Sequence, residues 1–170
     1  YSSAEQKKLV RLCRCLVTLP PNVPIDVLGA AANVSKDFIV GFISDWERPL
    51  WYSQDYIHFR DEPTETWFKG KFGDGQGDLK EVIRLITPLS HQYVYVARSL
   101  PSLLLRACEY EELEKLAESD EALPENIHLA EQKELKLERL RFAISAMIRS
   151  RKYLAAMRLS LLAGDIVSES

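Results

Sequence analysis

The stretch Arg48 to Phe72, RPLWYSQDYIHFRDEPTETWFKGKF, changes its period part-way along and so decides the fold. Leu50, Tyr52, Ile57 and Phe59 alternate along two short runs, and Ser53-Gln54-Asp55 supplies a turn between them. That pattern predicts a hairpin of two strands. Strand pairing has to stop at Asp61-Glu62-Pro63. Pro63 suits the first turn of a helix, where the amide it lacks would have no partner, and the carboxylates beside it favour the positive end of the helix dipole. From Thr64 onward Trp67, Phe68 and Phe72 take helical spacing. A hairpin thus runs straight into a helix.

Upstream, Ala4 to Thr18 predicts a first helix with Leu9, Leu12, Cys13, Leu16 and Val17 as its apolar stripe and Lys7, Arg11 and Arg14 on another face. The prolines of Leu19 to Pro24 end it. A shorter helix follows from Pro24 to Asn33, and Ser35 caps a third whose inner face is Phe38, Ile39, Phe42, Ile43 and Trp46. Helix, short helix, helix and two-stranded wing is the order of a winged helix-turn-helix.

Downstream, Gly70, Gly73, Gly75 and Gly77 cluster in KGKFGDGQGD. The run follows a helix and lacks a closing Gly-Lys-Ser/Thr, so it reads as a hinge and not as a phosphate loop. Residues 70–77 therefore separate a winged-helix domain, 1–72, from a helical domain, 78–170. Beyond Asp78 every segment has helical period. One helix ends near Pro88, the next spans Tyr93 to Leu100, and Pro101 restarts another. Tyr110 to Glu118 is a short one, and Ile127 to Arg149 a long one with Leu129, Leu137, Leu140, Ala143, Ile144 and Met147 inward. Tyr153 to Ala163 is the last, with Gly164 as its C-cap. Short connections, and small residues where helices cross, fit an irregular α-solenoid with one tetratricopeptide-like hairpin from Leu140 to Asp165. The fold class expected is mainly α.

Composition bounds the function. With 46% hydrophobic and 28% charged residues the chain is a folded protein, and a net charge of -3 exerts no general pull on nucleic acid or an anionic membrane. No apolar run approaches the ~20 residues that span a bilayer. The basic residues inside the first helix argue against a secretory leader. Three cysteines without framework spacing indicate a reducing compartment, hence the cytoplasm. The start at Tyr1 and the end at Ser170, each beside a helix, suggest a piece of a longer polypeptide.

Among candidate residues, the third helix offers Lys36 against Asp37 and Asp45, which is too acidic and too apolar for a major groove. Protein docking is the favoured use of the wing, with nucleic acid unlikely and no membrane role. Trp46, Trp51 and Trp67 are read as core, Trp51 doubling as an interface anchor if it is exposed. Arg48 and the stripe Lys7, Arg11 and Arg14 are the cationic partner-binding candidates, against the plainer reading of a solvated face. His58 points outward from the wing, and His91 begins a helix. His58, His91 and His128 show no metal spacing, and no catalytic residue or metal ligand is assigned.

YIHFRDEPTETWF followed by RSLPSLLLRACEYEELEKLA and LERLRFAISAMIRSRKYLAAMRLSLLAGD resembles bacterial STAND-type NTPases, which are related to the NACHT and NB-ARC groups. The resemblance implies an ATPase core ahead of the wing and a repeat sensor behind it. It implies protein partners, namely the core of the same chain and a sensed ligand or protein, and leaves room for an oligomer on activation. ATP, ADP and magnesium would belong to the parent protein, since no P-loop lies in these residues. In the family a wing histidine senses the ADP phosphate; its place here falls at Asp61, an acid that would repel phosphate unless magnesium or Arg60 intervenes. Arg60, then His58, become the phosphate candidates, against the simpler reading that Asp61 only starts a helix. The expected function is a non-catalytic regulatory segment, with a winged-helix DNA-binding regulator as the alternative.

Overall fold

A computed structural model describes residues 2–45, 49–73 and 78–169. The protein is mainly helical with a small three-stranded antiparallel sheet. It divides into two compact units, Tyr1–Ile86 and Thr87–Ser170. The division falls after Ile86, beyond the glycine-rich run, because the helix α5 (Leu79–Ile86) buries Leu79, Val82 and Ile86 and packs on α2 (Ile25–Ala32) of the first unit. Of the expected hinge, residues 74–77 lie outside the described residues, as do Trp46 and Arg48. Gly70 sits inside α4 (Glu62–Phe72), and Gly73 closes it. A Cβ at Gly73 would stand 2.2 Å from the Lys69 carbonyl oxygen, so no larger residue fits that cap.

In the first unit α1 (Ser3–Thr18) begins where the Glu5 amide donates to Ser2 Oγ, and it buries Leu12, Cys13, Cys15 and Leu16. Helix α2 ends at Asn33, which takes the left-handed conformation at φ 55° that asparagine tolerates. The axis then turns by 104° into α3 (Lys36–Asp45), whose Phe38 amide donates to Ser35 Oγ as the sequence predicts. No single helix among the described residues is long and apolar enough to cross a membrane.

The hairpin lies where the alternation places it, as β2 (Leu50–Ser53) and β3 (Tyr56–Phe59). A third strand, β1 (Val23–Pro24), was not expected, and it corrects the two-stranded sheet. The order is β1-β3-β2, with Val23 opposite Ile57 and Pro24 opposite Tyr56. Proline is tolerated in β1 because that strand is an edge. Leu50, Val23 and Ile57 are buried, and Phe59 is half-buried.

In the second unit a short 3-10 turn, Thr87–His91, precedes α6 (Val94–Arg106), α7 (Tyr110–Glu118), α8 (Leu129–Arg149) and α9 (Tyr153–Ser168). Helix α8 is the spine, packing on α6, α7 and α9. Four expectations are corrected here. Pro101 does not restart a helix; it lies buried within α6, where packing tolerates the missing amide. Leu129 is not inward but 69% exposed at the start of α8. Gly164 is no C-cap, since α9 continues to Ser168 through it. His91 ends the 3-10 turn instead of opening a helix, with its Nδ1 3.2 Å from the Leu123 carbonyl oxygen.

The inner face of α8 holds a charge. Arg139 is 1% exposed, and its guanidinium donates to the carbonyl oxygens of Glu121 and Ala122, fixing the loop in which Ala122 takes φ 54°. Burial pulls the Arg139 pKa below its ordinary value, with Asp120 opposing that shift. Removing a buried cation's grip leaves two carbonyls without their donor. Arg139→Lys should lower stability by about 2 kcal/mol, the scale of hydrogen bonds made by a charged donor. Arg139→Ala should lower it by about 3 kcal/mol in urea unfolding. An Arg139→Ala curve overlying that of the unaltered chain would show that the clamp contributes nothing.

Candidate functional site

Two places in the first unit gather the residues singled out by sequence. The first is the junction of β3 with α4. Gln54 and Asp55 form a two-residue turn with φ of 53° and 66°, the double positive that a tight hairpin of this twist requires. Neither residue is glycine, and the Tyr52 hydroxyl steadies the turn by donating to Asp55 Oδ1 at 2.7 Å. The register sets Trp51 opposite His58 on the outer face, where their rings meet edge to face at 5.6 Å. Trp51 is therefore exposed and not core, and His58 lies half-buried beside it.

The ladder closes as the Arg60 amide donates to the Pro49 carbonyl at 3.0 Å. The next residue starts the helix. Asp61 Oδ1 accepts from the Thr64 amide at 2.9 Å and from its hydroxyl at 2.6 Å, while Oδ2 accepts from Arg60 Nε at 3.1 Å. The Thr64 bonds, followed by that from Arg60, hold the Asp61 carboxyl below its ordinary value of 3.8. The plainer reading of Asp61, as the residue that begins a helix, is what the structure displays. Arg60 and Trp67 line one open groove of about 360 Å³, together with Pro49, Pro63, Thr64 and Phe68. His58 and Trp51 do not line it. Trp67, read as core, is 51% exposed: Phe68 takes the inward position of α4 against Phe59 and Phe72, and Trp67 points away with Lys71 over its ring.

The second place is the basic face of α1. Arg11 Nε donates to the Ala32 carbonyl at 2.5 Å, satisfying an end group of α2, and Arg14 stands 3.7 Å from Asp78 with both side chains about half exposed. With Asn33, Glu81 and Arg84 they line a cleft of about 240 Å³, in which Glu81 holds the Arg84 guanidinium through two bonds. Lys7 lies on a shallower groove along α1. The stripe is thus no uniform cationic patch, for Arg11 serves the fold and Arg14 meets an acid of its own unit. Cys13 and Cys15 are small buried residues, and burial pushes both thiols up to about 12, far from reactivity. Among the described residues no group of three or more His, Cys, Asp or Glu is disposed to hold a metal.

On α3 the exposed positions are Lys36, Asp37, Val40, Gly41, Ser44 and Asp45. Among the described residues of α3 Lys36 is the one cation, beside two acids, and Lys8 of α1 stands over the Phe38 ring. Set against known protein families and curated proteins, the chain matches no family model and no curated protein.

Asp61 gives the junction a pH dependence. Its folded pKa is depressed, so its contribution is in place above the ordinary value of 3.8 and is lost as the pH falls through the folded value. Asp61→Ala should lower the melting temperature at pH 7, and the difference from the unaltered chain should vanish in strong acid. Asp61→Asn, which still accepts from the Thr64 amide, should retain most of the stability. Equal melting of all three chains at pH 7 would remove the cap from the account.

Proposed function

We propose that this chain is a winged helix-turn-helix followed by an irregular, tetratricopeptide-like helical array, and that it serves as a non-catalytic regulatory segment of a STAND-type signalling ATPase. The observation that carries the reading is the absence of slack at Arg60-Asp61, where one residue closes the hairpin and the next caps α4. A displacement of the hairpin is then transmitted to a helix. The order α1-β1-α2-α3-β2-β3, with the sheet order β1-β3-β2 and a 104° turn between α2 and α3, supports the winged-helix assignment.

In this reading the chain docks on protein, the ATPase core and a sensed ligand or protein, through exposed Trp51 and the groove of Arg60 and Trp67. Arg60 is the residue that would meet a nucleotide phosphate of the core, because its guanidinium is half exposed while the His58 ring packs against Trp51. ATP or ADP with magnesium belongs to the core. The purified chain should be folded, helical and without ATP turnover in the presence of magnesium; turnover above buffer would refute the assignment. In the full-length polypeptide Arg60→Ala should speed ADP release about tenfold, the scale of one lost charge-assisted hydrogen bond. Unchanged release would take Arg60 out of the nucleotide's reach.

A DNA-binding regulator is the second reading, favoured by the 104° turn, which is that of a recognition-helix pair. Against it stands the α3 surface, whose one lysine lies among acids. Phosphate contacts make DNA affinity fall steeply with salt. Steep salt-dependent binding to duplex DNA that Lys36→Glu abolishes would move the assignment to this class.

A further inference from the structure

The cleft between α1, the end of α2 and α5 shares no residue with the groove of Arg60 and Trp67. Its charges are held unequally. Glu81 engages Arg84 through two hydrogen bonds, so that pair is closed. Arg14 and Asp78 stand 3.7 Å apart, too far for a hydrogen bond, and an open pair of this kind is weak. Arg11 gives its Nε hydrogen to the Ala32 carbonyl, which fixes the plane of the guanidinium. Its other four N–H groups meet no protein acceptor among the described residues. A guanidinium so held presents a rigid fork that matches the oxygens of phosphate. Asn33, in the left-handed conformation at the end of α2, adds a carboxamide to the lining.

Charge and size decide what fits. The groove along α1 shares Arg11, Arg14 and Asp78 with the cleft and brings Lys7 beside it. Together the two surfaces carry four cations, Lys7, Arg11, Arg14 and Arg84, against two acids, Asp78 and Glu81. That excess of positive charge lies on a chain whose net charge is -3. A phosphate monoester carries about 1.5 to 2 negative charges at pH 7 and three acceptor oxygens, which matches both the excess and the donors left over. The cleft of about 240 Å³ is smaller than the roughly 300 Å³ at which pockets for drug-sized ligands begin. It has room for a phosphoryl group with a short organic body. Cys15, Ala31 and Val82 make a buried floor for that body.

We propose that this cleft is a phosphoryl-binding site, in which Arg11 and Arg14 hold a phosphate ion or the end of a small phosphate monoester and Asp78 gives way to it. The chain is titrated at constant ionic strength with inorganic phosphate and with glycerol 3-phosphate, and its backbone amide resonances are followed. Both should saturate near 1 mM, the affinity of about two charge-assisted contacts, with shifts centred on Arg14, Asn33 and Val82. Arg14→Gln should weaken binding about tenfold. Asp78→Asn should tighten it about threefold, because a competing carboxylate leaves the site. Lys115→Gln, which removes a cation from α7 of the second unit, should change nothing. Tighter binding of glycerol 3-phosphate assigns the site to a phosphorylated small molecule, and equal or weaker binding assigns it to the free ion. Asp78→Asn decides the matter should Arg14→Gln disturb the fold. Shifts that never saturate, an affinity that Arg14→Gln leaves unchanged or Lys115→Gln lowers equally, or no tightening in Asp78→Asn would each overturn the proposal.

Discussion

The carboxylate of Asp61 is the point on which the first unit depends. It receives the amide and hydroxyl of Thr64 and the guanidinium of Arg60, while the Arg60 amide closes the strand ladder on Pro49. No residue lies free between strand and helix, so the direction of β3 fixes that of α4. Helix α4 in turn packs on α1 and brings Phe68 to Phe59, their centroids 5.2 Å apart. Hairpin, α4 and α1 are thereby one mechanical piece. Since Arg60 and Thr64 share one carboxylate, whatever engages the Arg60 side chain acts on the bond that starts the helix.

That junction was legible because each of its signals is local. Alternation from Leu50 to Phe59, the acid at 61 and the proline at 63 all act within a few residues of themselves. The strand at Val23–Pro24 was not legible, for two residues have no period, and proline beside proline reads as an interruption. Its pairing rests on an edge position that only the tertiary fold creates. Pro101 and Gly164 misled in the same way. Each costs a helix some stability, about 3 and 1 kcal/mol in an exposed interior; packing overrides that cost at buried Pro101, and at exposed Gly164 the flanking residues keep the helical pattern.

The candidate sites were legible in residue type but not in partnership. Lys7, Arg11 and Arg14 do share a helix face, yet the sequence has no means of showing that the Ala32 carbonyl occupies Arg11 or that Asp78 faces Arg14. Arg139 is the sharper case. An arginine between Leu135 and Leu140 looks like the solvated side of α8, and only two carbonyls from a distant loop make its burial tolerable. Trp67 failed on phase, since adjacent aromatics cannot both face inward on a helix, and Phe68 takes that place.

Helix α9 poses the converse problem, a segment whose apolar content exceeds what its neighbour uses. Its attachment to α8 rests on Ala156 and Leu159, with Ala155, Ala163 and Ile166 half-buried beside them and ion pairs from Arg158 and Lys152 to glutamates of α7 at the surface. Exposed ion pairs each contribute little, and one alanine and one leucine bury modest apolar area. The outward set of Tyr153, Leu154, Met157 and Leu161 is larger than the inward one. Helical propensity cannot make up the difference, because isolated helices of this length are marginal in water. The helix therefore holds its place through its packing on α8, while its outer apolar side chains remain exposed.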